Sequence, residues 1–407
     1  MINYKIVVVG SGISSFFFLK GLKKKLFKST CVLEGKDNSF NGFRQNNETN
    51  FFTSCNFGGL ASTWLGGYSE FKKKDLKLMR DGFMQRIFNE HEKFNKIYNK
   101  NYYDYFTSKK FLINDIKDSN EINIFENKTL LSNNKILRVK KFKNLKYLKS
   151  SLTSVKKIKD KFIITLGDKE SFISCDKLVL ASGTIGTAVI ISRLFKLKKI
   201  YFKNQLYFNG FTFFPFKSFN FQKFNFPIKF YEDKLKFFGG TIDFYGDFVL
   251  KHLQKTLPIF NYKLFLITTS FLLKKIVFYN AFVNSKYCDA CLQNDKNFFF
   301  INSLIKKSTT NKFLKLIKLR LDKMFLNNFN STFFSKIFKK KIGFDKHYYG
   351  IFFNKKNKKL VINDDSEVLG QKNLYICDQS AININTFKFV TYFSVANAYS
   401  LGKIISK

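Results

Sequence analysis

The sequence is short of the residues from which metal and disulfide sites are built. Its six cysteines, at 31, 55, 175, 288, 291 and 377, are scattered, and Cys288-Asp-Ala-Cys291 is their one close pair. A single CxxC lacks the second pair that a structural zinc site needs, so no metal is expected and the thiols read as buried or incidental. Histidine occurs three times, proline three times and tryptophan once. No run reaches the ~20 apolar residues that cross a bilayer. The closest, 264 to 283, is cut by Lys274 and Lys275. The first apolar run, Ile6 to Val9, passes straight into Gly10-Ser11-Gly12, as a strand and turn do and a signal peptide does not. These absences point to a soluble, cytoplasmic chain.

Acidic residues are scarce as well, 29 against 71 Lys+Arg, for a formal charge of +42. Lys, Phe, Asn and Ile are swollen together, as coding drift towards A and T would produce at permissive positions, which discounts the charge as a sign of function. A basic surface still draws nucleic acid, acidic membrane surfaces and anionic substrates. No nucleic-acid motif accompanies it, so no specific nucleic-acid partner is expected. Hydrophobic residues at 45% and charged residues at 25% exclude wholesale disorder. A chain of 407 residues has room for one large mixed domain or two interleaved ones.

Lysine has failed to accumulate in four long windows, 6–19, 49–69, 178–192 and 389–402, none of which carries a charged residue. Plain core would also exclude charge, so the motifs inside them decide. Ile6–Val9 is a short β-branched run of the kind buried on both faces of a parallel sheet. Gly10-Ser11-Gly12-Ile13-Ser14-Ser15 follows, and 16 to 26 is helix-compatible. Strand, glycine turn and helix in this order form a dinucleotide fingerprint. Gly10 permits the tight turn, Gly12 the approach of a pyrophosphate, and Ser15 stands as the small third residue. A second strand, Thr30 to Leu33, ends at Glu34, 34 − 12 = 22 residues past the second glycine, where a carboxylate accepts ribose hydroxyls. The pattern does not separate FAD from NAD.

Further along, 56–67 reads N-F-G-G-L-A-S-T-W-L-G-G, two glycine pairs that suit backbone lying flat against a ligand. Val155 to Ile158, Phe162 to Leu166 and Phe172-Ile173 look like a small β-meander. Leu178-Val-Leu-Ala-Ser-Gly183 then returns as a buried strand leading into a helix that ends near Phe195. Near the C-terminus, Leu374-Tyr-Ile-Cys-Asp378-Gln-Ser-Ala is a strand ending at an acid, with an apolar helix over 389–405. Asp378 can receive cofactor N–H or O–H groups, or cap the turn that follows it.

Taken in order, these pieces resemble the glucose–methanol–choline (GMC) oxidoreductases, including their pyranose-oxidase and bacterial polysaccharide-cluster branches. G-S-G-I-S-S with Glu34 resembles the family's ADP-binding unit, L-V-L-A-S-G-T-I-G-T its second signature, G-L-A-S-T-W at 59–64 the loop across the flavin ring, and L-Y-I-C-D-Q-S-A its C-terminal signature. The resemblance implies an α/β fold, a FAD-binding Rossmann-like domain (a doubly wound parallel sheet with a β-meander) interleaved with an α+β substrate domain. Segments 1–66, 136–200 and 346–407 would form the FAD domain, and 67–135 with 201–345 the substrate domain and cap. Cofactor contacts are implied at Gly10, Ser11, Gly12, Ser14, Ser15, Glu34, Gly59, Ser62, Thr63, Trp64, Val155, Ala181, Ser182, Gly183, Asp378 and Gln379. In some relatives the residue before the tryptophan is a flavin-linked histidine. Here it is Thr63, so noncovalent FAD is expected.

The resemblance also implies a catalytic histidine in an H-x-x-G pattern before the C-terminal strand. His347-Tyr-Tyr-Gly350 matches it, 378 − 347 = 31 residues before Asp378. A neutral imidazole there would take an alcohol proton while hydride leaves carbon for flavin N5. The family's second catalytic His or Asn has no counterpart at Phe387-Lys388, with Asn383 and Asn385 close but out of register. The expected function is FAD-dependent oxidation of a hydroxyl, on a sugar or sugar conjugate. The alternative is a FAD-binding protein with non-redox, sugar-mutase-like or eroded activity, and the C-terminal signature argues against the mutases.

Overall fold

A computed structural model describes residues 1–35, 43–44, 67–69, 82–98, 123–124, 129–131, 139–167, 171–204, 206–216, 229–232, 237–242, 275–283, 288–295, 298–329, 332–339, 348–352, 354–382, 384 and 390–407. At its centre is β1 (Ile2–Val9), whose last four residues are all buried, as the unbroken apolar run requires. It pairs in parallel with β2 (Thr30–Glu34) on one side, Val8 opposite Val32. β3 (Lys146–Lys149) extends the sheet in parallel beyond β2. An antiparallel meander closes the other end: β4 (Leu152–Ile158), β5 (Lys161–Leu166) and β6 (Ser171–Leu180), with β6 parallel to β1. The order is β3-β2-β1-β6-β5-β4, and β7 (Leu374–Ile376) lies beside β6.

The sequence reading treats Phe172-Ile173 and Leu178–Leu180 as separate strands, whereas β6 is one ten-residue strand. Its far edge is shared in series. Ser171–Cys175 pairs with β5, and Leu178–Leu180 pairs with β7. The half-exposed Asp176-Lys177 dip falls where one partner hands over to the other, which is why it reads as a break.

Among the described residues five α-helices accompany the strands: α1 (Ile13–Gly21), α2 (Gly82–Tyr98), α3 (Gly183–Leu194), α4 (Lys307–Phe329) and α5 (Thr391–Ile405). The expected first helix over 16–26 instead starts at Ile13 and stops at Gly21, followed by a 3₁₀ turn, Lys24–Ser29. The cause lies in α5. A Cβ on Gly21 would stand 2.1 Å from the Tyr399 carbonyl oxygen, and one on Gly402 would stand 2.2 Å from that of Phe18. The two helices therefore touch backbone to backbone at paired glycines, and α1 ends at that crossing.

The remaining strands form antiparallel layers. The larger sheet runs Phe334–Lys339, Leu206–Phe213, Ile276–Val283, Phe237–Ile242, Lys229–Glu232 and Asn123–Ile124. A smaller one joins Lys199–Lys203, Asp289–Asp295 and Phe298–Ser303, to which Phe43–Arg44 adds in parallel. The whole is an α/β fold in which a parallel-rich sheet with a meander is interleaved with antiparallel sheets. No helix among the described residues is long and apolar enough to cross a membrane.

Candidate functional site

Four parallel strands end along one edge of the central sheet, and their ends carry four of the sequence motifs. β1 ends at Gly10, β2 at Glu34, β6 at Ala181 and β7 at Cys377-Asp378. Cross-strand hydrogen bonds hold the ends level: Gly10 N to Leu33 O at 2.9 Å, Ala181 N to Val9 O at 2.9 Å, and Cys377 N to Leu180 O at 2.8 Å. Strand order reverses direction at β1, and the carboxyl edge at such a switch point is the usual ligand position in an open α/β sheet.

Gly10 sits in a left-handed conformation (φ 108°), and a Cβ there would lie 2.4 Å from Ala181 O. Its bareness lets the β1 turn press against the end of β6. Gly12 precedes α1, and Phe16 N closes the first helical bond onto Gly12 O at 3.1 Å. α3 starts from Ser182-Gly183 on the neighbouring strand. Two helix N-termini thus face the same edge: that of α1 has no side-chain cap and presents first-turn N–H groups to an anion, whereas the Gly183 N–H at the start of α3 is taken by the Asp378 carboxylate. Gly183 is also left-handed (φ 73°), and a Cβ built on it meets nothing within 4 Å. Its surroundings are open, unlike those of Gly10.

Ser11, Ser14 and Ser15 are buried. Ser14 Oγ lies 3.0 Å from Ser394 Oγ of α5, so this hydroxyl joins the two helices. Glu34 is buried, with Lys141 Nζ 2.8 Å from Oε1. The ammonium makes an ion pair without hydrogen-bond geometry, so Oε1 accepts no hydrogen bond, and Ser150 Oγ is likewise buried without one. Ser150 N donates to Glu34 O at 3.0 Å, which fixes the two together. Val155 is buried in β4, paired with Ile164 and packed into the core. β6 and β5 separate its strand from β1, so Val155 is not brought beside Glu34 or Gly12.

Asp378 is fully buried and caps the turn Gln379–Ala381, one of the two roles open to it from sequence. Its Oδ1 accepts from Ser380 N at 2.9 Å and Ser380 Oγ at 2.6 Å, and Oδ2 accepts from Thr187 Oγ1 at 2.6 Å. With its one proton so used, Thr187 can accept from Ser182 Oγ, 3.2 Å away. Burial pushes the Asp378 carboxyl above its ordinary value, and hydrogen bonds from Ser380, Thr187 and the Gly183 backbone pull it back. The carboxylate is thus a latch joining β7 to the first turn of α3. Thr187 and Ser380 escaped the sequence reading. Thr187 was visible as the last residue of G-T-I-G-T, but its partner is 191 residues away.

Gln379 O accepts from Gly350 N at 3.1 Å, and Ile351 N donates to Ser380 O at 2.9 Å. Tyr349 and Lys203 exchange backbone bonds, and Thr184 Oγ1 donates to Tyr348 O at 2.5 Å. The Tyr-Tyr-Gly of the H-x-x-G motif is therefore clamped between α3, the Asp378 turn and the Lys199–Lys203 strand. His347 itself, with Gly59, Ser62, Thr63, Trp64 and Lys388, lies outside the described residues. Among the described residues no group of three or more His, Cys, Asp or Glu is placed to hold a metal ion.

No protein-family model matches the sequence, and no curated protein matches it by sequence. The fold is similar to the Rossmann-like FAD-binding fold of the GMC oxidoreductases. Among solved structures it is similar to a pyridoxine 4-oxidase from Mesorbium loti, with a TM-score of 0.58 at 9% identity over 99% of each chain. It is also similar to a formate oxidase from Aspergillus oryzae RIB40, carrying a mutation that bears on FAD modification, with a TM-score of 0.57 at 9% identity over 99% of this chain and 98% of that one.

Proposed function

We propose that the protein is a FAD-dependent oxidoreductase that oxidises a hydroxyl group, on a sugar or sugar conjugate, with His347 as the base. The observation that carries the reading is the convergence of Gly10–Gly12, Glu34, Ala181–Gly183 and Asp378 on one edge of the sheet. The residues present fit a dinucleotide: the uncapped N-terminus of α1 suits its pyrophosphate, and the buried Glu34 at the end of β2, whose Oε1 has only the Lys141 ion pair, suits a ribose hydroxyl. The open space at Gly183 leaves room beside them. Bound flavin would supply the hydride acceptor. The chain's part is to hold the substrate hydroxyl and take its proton onto the neutral imidazole of His347. The clamp on Tyr348–Gly350 would fix that imidazole's chain position. Thr63 in place of a linking histidine supports noncovalent attachment.

The first test is the visible spectrum of the purified protein after incubation with FAD. Bands of bound flavin in one equivalent support the reading, and no uptake at any concentration refutes it. Acid precipitation should release all the colour, and colour kept in the pellet would overturn noncovalent binding. His347→Ala should keep FAD and slow anaerobic flavin reduction by the substrate on the order of 10²–10⁴-fold. An unchanged rate would remove His347 from the reaction.

A further inference from the structure

The larger antiparallel sheet presents a surface of unusual chemistry at its edge. Phe334–Lys339 forms one edge of this sheet among the described residues, opposite the edge at Asn123–Ile124. Its alternate residues divide cleanly: Ser335 and Ile337 are buried, whereas Phe334 (58% exposed), Lys336 and Phe338 (42% exposed) face outward. Register places Phe334 opposite Phe213, Lys336 opposite Phe211 and Phe338 opposite Asn209, so the aromatic strip continues onto the next strand. Phe216, 87% exposed, stands at the corner just past that strand's end, where Lys275 Nζ reaches Pro215 O at 2.6 Å. The four adjacent strands Phe334–Lys339, Leu206–Phe213, Ile276–Val283 and Phe237–Ile242 contain no Asp or Glu at all. Coding drift can add lysine and phenylalanine, but the physical result is the same: exposed rings, cations between them, and no acid to repel an anionic surface.

We propose that this edge docks the protein peripherally onto an anionic lipid bilayer. Phe334, Phe338 and Phe216 enter the headgroup–acyl boundary, where apolar rings leave water, and the lysines stay among the phosphates. A nucleic-acid platform fits less well. Stacking bases need open ring faces, but Phe211 lies 6.3 Å from both Phe334 and Phe338 in tilted contacts, and Lys336 Nζ covers the Phe338 ring at 5.4 Å. The proposal does not depend on the oxidoreductase reading, because its test needs neither cofactor nor substrate.

The experiment is flotation of the full chain with vesicles of phosphatidylglycerol and phosphatidylcholine, against phosphatidylcholine alone. A +42 protein sticks to any anionic surface at low salt. The deciding measurement is therefore made near ~0.5 M salt, where long-range attraction is screened and apolar insertion persists. Binding to the anionic vesicles should survive there. The double variant Phe334→Ser/Phe338→Ser should lose it by on the order of tenfold per ring, and Phe216→Ser and Lys336→Glu should each weaken it separately. Phe172→Ser, half exposed on β6, should change nothing. Wild-type strength in all three edge variants would overturn the proposal, as would equal binding to phosphatidylcholine alone at low salt, where the lysines act. Binding of single-stranded RNA that survives ~0.5 M salt and fails in the same variants, with no vesicle binding, would assign the edge to nucleic acid instead. Because Phe216 and Lys336 lie outside the core, the test stands even if the double variant fails to fold.

Discussion

Replacing Thr187 by valine keeps the shape of a fully buried side chain and removes one donor from the buried carboxylate of Asp378. At 2.6 Å, that O–H···O⁻ bond is in the short, charge-assisted range, where loss costs about 1.5–3 kcal/mol. The cost depends on pH in a defined direction. Burial holds the Asp378 pKa above its unfolded value, so its contribution to stability is complete below the unfolded pKa and is lost as pH rises through the folded one. Thr187 opposes that loss by stabilising the ionised form. Without it the folded pKa climbs further, and the variant's deficit against wild type must grow with pH across the interval between the two folded values. On the acid side of the folded pKa, where the carboxyl is protonated, only a neutral hydrogen bond is missing, about 0.5–1.5 kcal/mol. On the alkaline side of both folded values the full deficit of about 1.5–3 kcal/mol should appear. Urea unfolding of the cofactor-free protein, followed by circular dichroism and by the fluorescence of Trp64, measures both ends. A deficit that does not grow as pH is raised, or that stays below ~0.5 kcal/mol throughout, would refute the latch.

Gly21→Ala should destabilise by about 2–4 kcal/mol, because its Cβ would meet the rigid Tyr399 carbonyl and force α1 from α5; an unchanged thermal midpoint would exclude that crossing. Gly183→Ala should cost only about 1 kcal/mol of stability for its left-handed backbone, since nothing crowds its Cβ. Under the proposed function it should also lower FAD affinity at least ~10-fold by filling the open space, read by flavin titration. Glu34→Ala should weaken FAD binding by about 1.5–3 kcal/mol while sparing the fold; equal affinity would remove Glu34 from the cofactor site. Burial pushes the Cys31 and Cys175 thiols up to about 12, so both should resist a thiol reagent at pH 8 until urea unfolds the chain. Rapid labelling of either in the native state would contradict their placement in the sheet.

Much of the site was legible because its parts are local. Ile6–Val9 with Gly10-Ser11-Gly12, Thr30–Glu34, Leu178–Gly183 and Leu374–Asp378 each state a buried parallel strand and its ending within a dozen residues. Parallel strands in one sheet then bring such endings to one edge. The H-x-x-G segment was legible as a motif, while the clamp on Tyr348–Gly350 was not, since it draws on Thr184, Lys203 and Gln379. The continuity of β6 was hidden for the same reason: Asp176-Lys177 breaks the apolar run, and it is pairing with β1 from Ile173 to Leu180, with two further partners in series on the far edge, that carries the strand through.

The sequence by itself determined which segments become strand ends, because burial and backbone pairing follow from side-chain period and from glycine's conformational range. It determined the carboxylates at Glu34 and Asp378 by the same spacing. Tertiary structure alone decided what those carboxylates do. Asp378 meets Thr187 across 191 residues and is satisfied within the protein, whereas Glu34 is buried with one oxygen that accepts no hydrogen bond. The truncation of α1 at Gly21, facing Gly402 near the other terminus, was settled there too. A chain's local pattern fixes which groups are buried, but hydrogen bonds and close approaches between distant segments are set by topology, which no local pattern contains.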